Sequence, residues 1–194
     1  MSSFSFRPQF RLPLSRRNGT LIKVLGITAV SAVGLVMAIQ QARADGLPHK
    51  DKAFLEHAAE AGNAEVEASK LALEKTANPD VKTFATLMID EHTTVGDRLK
   101  KLAATKNLKV PDRPGVTQRA KIAILGKLDG AAFDEQYVGT IGVSAHKDAV
   151  DLFKKGAAEA KDAEVKDFAA KTLPNLEHHL EMANALKAKL DASK

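Results

Sequence analysis

Four polar side chains occupy positions where a helical repeat calls for apolar ones, and together they could hold a metal ion. At three-and-four spacing, one stripe reads Phe54, Ala58, Ala61, Glu65, Ala68, Ala72. A second reads Val81, Phe84, Met88, His92, Val95, Leu99, Leu102. A third includes Val138, Gly142, His146, Val150 and Phe153, and a fourth runs Val165, Phe168, Thr172, Leu176, His179, Ala183, Leu186, Leu190. If helices of similar length pack side by side, mid-helix positions share one layer, so Glu65, His92, His146 and His179 are expected to converge. Neutral imidazole offers a nitrogen lone pair and the carboxylate adds charge, a donor set suited to zinc, iron or copper rather than calcium. The same residues admit a metal-free reading, in which the histidines hydrogen-bond the buried Glu and satisfy it. Gly62, Gly96 and Gly142 lie within a turn of this layer. They are expected to allow close backbone approach, at about 1 kcal/mol each relative to Ala.

Other chemistries find less support. A di-iron carboxylate centre needs Glu-x-x-His on two helices. The residues three before the histidines are Gly46, Phe54, Ile89, Val143, Asn175 and Leu176, so that pattern is absent. A metal-dependent redox enzyme therefore ranks below a non-catalytic protein. His57 with Glu60 and His178 with Glu181 read as solvated pairs, and Met88 four before His92 reads as core rather than as a haem ligand. No Gly-rich phosphate loop or nucleophile elbow occurs, and the chain has no Cys.

The elements that must position the four residues are legible from their boundaries. One helix is expected from about Asp51, read as its N-cap, to Thr76. A second opens at Asn78-Pro79-Asp80, an N-cap, an N1 proline and a first-turn acid, and runs to about Lys106. A third continues from Asp129-Gly130 to about Ala158, and a fourth from Asp162 to about Leu190, with Pro174 expected to kink it. The first and last pairs are tight hairpins. Between them lies a long crossover with Pro111, Pro114, Gly115 and a short helical stretch near Thr117–Gly126. The fold class is thus all-α, a ferritin-like four-helix bundle of two antiparallel hairpins joined by that crossover. A weak repeat agrees with two like hairpins: residues 79–85 are echoed by residues 163–169, and Phe54-Leu55-Glu56 by Phe133-Asp134-Glu135.

The chain's formal charge of +5 misleads. Six of its 29 basic residues, and none of its 24 acids, fall in residues 1–44, so the remainder carries 23 against 24. Nucleic acid is not an expected partner. Residues 1–44 read instead as a signal peptide: Arg16-Arg17 and Lys23, an uncharged run over Val24–Ile39, and an Ala42-Arg43-Ala44 cleavage site. The run is short of the ~20 residues of a comfortable span, although an uncleaved anchor would be the one source of membrane contact. Gly19-Thr20 after the arginine pair favour general secretion over the twin-arginine route. The expected domains are 1–44, the signal, and 45–194, the bundle, in the periplasm or cell envelope. Without Cys no disulfide can staple it there, and packing alone must hold it.

Several segments occur in a telling order: Ala64-Glu65-Val66-Glu67, Met88-Ile89-Asp90-Glu91-His92-Thr93, Phe133-Asp134-Glu135-Gln136-Tyr137, His146 followed by Val150-Asp151-Leu152-Phe153, and Leu173-Pro174 followed by His179-Leu180. Over about residues 51–190 the chain resembles an exported bacterial family of ferritin-like domains of unknown function, often labelled predicted outer-membrane proteins. The resemblance implies a ferritin-like bundle outside the cytoplasm, with Glu65, His92, His146 and His179 as matching positions, and it supplies no activity. Glu91 departs from the aspartate usual beside the histidine. Two functions stand open: a metal-binding or sensing protein of envelope stress or metal handling, and a structural or partner-binding envelope protein with a hydrogen-bonded polar core. A homo-oligomer or an envelope protein partner is compatible with either.

Overall fold

Two side-chain caps start two of the long helices. Asn78 Oδ1 accepts from the backbone N–H of Asp80 at 2.9 Å and of Val81 at 3.4 Å. Asp162 Oδ1 accepts from Glu164 at 2.9 Å and Val165 at 3.1 Å. Each satisfies donors that a helix start leaves without partners. The computed structural model describes residues 46–193, which are helical and contain no strand. The signal read in residues 1–44 and its cleavage after Ala44 lie outside these residues. In chain order the elements are α1 (His49–Lys75), α2 (Pro79–Thr105), α3 (Val116–Leu125), α4 (Gly130–Tyr137), a π-helical segment (Val138–Ala145), α5 (His146–Glu159) and α6 (Ala163–Ala192). Helix α1 packs along α2 and α5 along α6, each pair joined by a short turn, and α3 in the crossover lies against α1. Among the described residues no helix is long and apolar enough to cross a membrane.

Three expectations need correction. Asp51 does not cap its own helix, which starts at His49 after Pro48. Its buried carboxylate instead accepts from the backbone N–H of Lys161 at 2.9 Å and of Asp162 at 2.7 Å. That bond ties the α5–α6 turn to the start of α1. The expected third helix is interrupted, because Val138–Ala145 widens into a π turn before α-helix resumes at His146. The glycines also differ from one another. At Gly142 an added Cβ would lie 3.1 Å from Ala183 Cβ and 3.5 Å from Phe84 Cε1, which is close approach. At Gly62 and Gly96 it would meet nothing within 4 Å. Those two leave open space beside the polar layer instead of drawing helices together.

The apolar core falls into two clusters. One gathers around Phe54, Phe153, Phe168, Leu99 and Leu176, and the other around Phe84, Phe133, Tyr137, Met88 and Ile141. In every long helical run the changeover between them comes at the polar residue. Glu65 falls just past Ala64, where α1 passes from the first cluster to the second, and His92 lies between Met88 and Leu99. His146 lies between Ile141 and Ala149, and His179 between Leu176 and Ala183. The layer therefore divides the core across its width. Rings stack edge-on in the first cluster, with Phe54 5.1 Å from Phe153. In the second, the Tyr137 hydroxyl shares a 2.8 Å hydrogen bond with Ser69.

The glycine geometry predicts opposite outcomes for one kind of substitution. Gly62→Ala and Gly96→Ala should each stabilise the protein by up to about 1 kcal/mol, the helix-propensity difference. Gly142→Ala should fall below the parent, because two methyl groups are forced together. Urea unfolding of the three variants checks this, and equal effects at all three would refute it.

Candidate metal centre

Each long helical run delivers one side chain to the middle of the molecule: Glu65 from α1, His92 from α2, His146 from the first residue of α5 and His179 from α6. All four are buried, none more than 5% exposed. The three imidazole rings form a near-equilateral group, with centroids 5.3 Å apart for His92–His146, 5.2 Å for His92–His179 and 5.4 Å for His146–His179. One nitrogen from each ring lies within 4.8 Å of the others.

What surrounds the rings decides what they can do. His92 Nδ1 donates to Glu65 Oε2 at 2.9 Å. His146 Nδ1 donates to the Ile141 carbonyl at 3.0 Å. That carbonyl lies in the π segment, and the backbone N–H of His146 turns to Val143 instead. His179 Nε2 donates to Glu91 Oε2 at 2.8 Å. Every ring is thus held through one nitrogen by an outer acceptor, which fixes its tautomer and leaves the other nitrogen with a lone pair. His92 Nε2 and His146 Nε2 face each other at 3.3 Å. His179 Nδ1 is buried and has no partner.

Glu65 occupies a different place from the three histidines. It faces the outer nitrogens, with Oε2 on His92 and Oε1 3.8 Å from His146 Nδ1, and it falls outside the group of nitrogens close enough to share an ion. The two groups that hold His146 and His179 in place were missed by sequence reasoning. Glu91 offered a signal, an acid next to His92 on the same helix, which in a helix points about a quarter-turn away and so can reach a neighbouring ring. The Ile141 carbonyl offered none, because it depends on where the helix widens.

With no ion between them, neutral His92 and His146 would oppose two lone pairs. A second proton on one ring turns that contact into a hydrogen bond. Burial works against such a charge, but the Glu65 carboxylate outweighs it and raises the His92 pKa. Burial likewise favours a neutral Glu65, yet the adjoining His92 and His146 hold its pKa down at about 2. His179 is lowered to about 4, by burial first and then by the positive charge of His92, against the pull of Glu91. One ionised pair, Glu65 with His92, and a neutral His179 follow.

Residues 36–186 match the family described as a domain of unknown function, DUF4142. No curated protein matches. Among solved structures, a DUF305 protein from Streptomyces coelicolor is similar at TM-score 0.63 and 18% identity, covering 73% of this chain and 92% of its own. A DUF305 fragment from Deinococcus radiodurans is similar at TM-score 0.66 and 12% identity, covering 74% of this chain and 99% of its own. At such identities the likeness is one of fold.

The pKa directions predict an acid response that His179 controls. In the folded protein His179 protonates at about 4, whereas an unfolded chain takes up that proton near 6.5. Stability is therefore lost as pH falls from 6.5 towards 4. His92 has the opposite sign, because its raised pKa adds stability below 6.5 that is lost as pH rises. In chelator-treated protein the Tm should fall between pH 6.5 and 4.5, and His179→Gln should flatten the fall. An equally steep fall in that variant would contradict the assignment.

Proposed function

The chain belongs to the DUF4142 family, and from its buried imidazoles we propose that it binds one transition-metal ion through His92, His146 and His179. The observation that carries this reading is the set of three inward-facing ring nitrogens, each on a ring whose opposite nitrogen is hydrogen-bonded outward. A bound ion would displace the second proton that His92 takes up in its absence. Metal-ligating histidines are held in this way by carboxylates and carbonyls, which orient the ring and raise its basicity. The separation supports it too. Two nitrogens each about 2.0–2.1 Å from a tetrahedral ion lie roughly 3.3 Å apart, and His92 Nε2 and His146 Nε2 are 3.3 Å apart. An ion there would replace the opposed lone pairs with two bonds and give the unpartnered His179 Nδ1 a third. Glu65 is an orienting residue in this reading, and Glu91 another. Nitrogen donors suit zinc, iron or copper.

The biological setting goes with it. The domain is a ferritin-like four-helix bundle exported by residues 1–44 and cleaved after Ala44, and it handles or senses metal in the periplasm or at the outer membrane, with no catalytic step assigned. Supporting this are the basic, then apolar, then small-residue pattern of the leader and the two hairpins around the crossover helix. One observation favours a second reading, a structural or partner-binding protein with a metal-free core. The raised pKa of His92 would make its contact with His146 an ordinary charged hydrogen bond.

Metal content by mass spectrometry separates the two. Untagged protein should carry, or take up from zinc, iron or copper, close to one ion per chain. The His92→Ala/His146→Ala double variant should carry none, and Glu91→Gln should lose about 10- to 100-fold in affinity. A folded parent that stays empty after all three metals would leave the structural reading.

A further inference from the structure

Glu65 has a second face. Its Oε2 is taken by His92, but Oε1 is buried without a hydrogen-bond partner. Glu65 also lines a cleft of about 170 Å³ between α1, the π segment, α5 and the crossover helix α3. The walls of this cleft are mainly aliphatic, from Ala64, Ile141, Ala145, Ala149 and Leu152, with Thr140 and Gln118 beside them and the exposed Lys121 and Asp148 at its rim. An apolar pocket with one polar group that lacks a partner has the composition of a small-molecule site. Water could satisfy the oxygen, but it would leave the aliphatic walls unused.

We propose that this cleft binds a small primary ammonium compound with a short aliphatic chain, whose N–H groups donate to Glu65 Oε1. The charges facing the cleft agree with a cationic head. Glu65 and Asp148 line the cleft with the single Lys121. The His92 that balances Glu65 sits on its far oxygen and does not line the cleft, and His57 at the rim is paired with Glu60 at 3.8 Å. Charge-assisted donation to a carboxylate is among the stronger hydrogen bonds, and a compact three-donor head suits a single buried oxygen that has no other partner. The methylenes of the tail replace water against Ala64, Ala149 and Leu152. The site lies on the outer side of His92 and His146 and needs no ion at the imidazoles, so it stands or falls separately from the metal centre.

The test is an amide NMR titration of chelator-treated protein with n-butylammonium chloride, n-butanol serving as the uncharged control. Saturable shifts should appear at Ala64, Ala145 and Ala149, with n-butanol weaker by about tenfold or more, the loss of one charge-assisted bond. Glu65→Gln should weaken the amine by a similar factor, and Ala61→Leu, which fills the cleft from its α1 side, should abolish the shifts without disturbing the triad. Absence of saturable shifts in the parent would mean the cleft holds water only and would overturn the proposal. Equal binding of butanol, or shifts that survive Ala61→Leu, would overturn it as well. The control and the Ala61 variant decide the matter even if the Glu65 variant fails to fold.

Discussion

The Glu65–His92 pair is the interaction around which the rest of the molecule is arranged. An ionised carboxylate and an imidazole held 2.9 Å apart at about 3% side-chain exposure are expensive to bury. Their attraction offsets that cost only if their remaining atoms are placed with care. That requirement reaches outward. His92 must meet His146 and His179, and those rings in turn need the Ile141 carbonyl and Glu91. A purely apolar core of the same volume would be easier to build, so a stability argument alone does not account for this layer.

The two core clusters read as the means of holding that layer still. Each closes one end of the molecule with its own aromatic group, and the turns at the ends are clamped by buried or capping side chains, Asp51 among them. Between the ends, the π segment does the fine positioning. The helix widens over Val138–Ala145, and the Ile141 carbonyl within that segment lies within reach of the His146 ring. Gly142, within that segment, lets it lie close to Ala183 and Phe84. Wide turns of this kind are frequent at functional sites.

How much of this could be read in advance follows from what each feature depends on. The four helical runs, the cap at Asn78 and the short crossover helix rest on local chemistry, and they were legible within a few residues. The fourth run's start at Asp162 was legible too, although the capping bonds of its carboxylate were not read. The meeting of Glu65, His92, His146 and His179 was legible because a polar residue on an apolar stripe is conspicuous once helices are assumed. Glu91 was hidden by its half-exposed position, which makes it look like any surface acid. The π segment was hidden because Gly139, Thr140 and Gly142 suit a flexible helix as well as a widened one. Asp51 was misread because a carboxylate near a helix start most often serves that helix, and only the folded chain brings residues 161 and 162 to it. Gly62 and Gly96 were misread for a similar reason, since composition reports a missing side chain but not what lies opposite.

In the proposed centre three nitrogens, and not the Glu65 carboxylate, hold the ion. X-ray absorption at the zinc edge of zinc-loaded protein tests this most directly, because it reports the donor atoms and their distances. Three imidazole nitrogens are expected at about 2.0–2.1 Å with the outer-shell scattering of the rings, plus one light atom completing a tetrahedron. A first shell dominated by carboxylate oxygen, or one with a single imidazole, would contradict it.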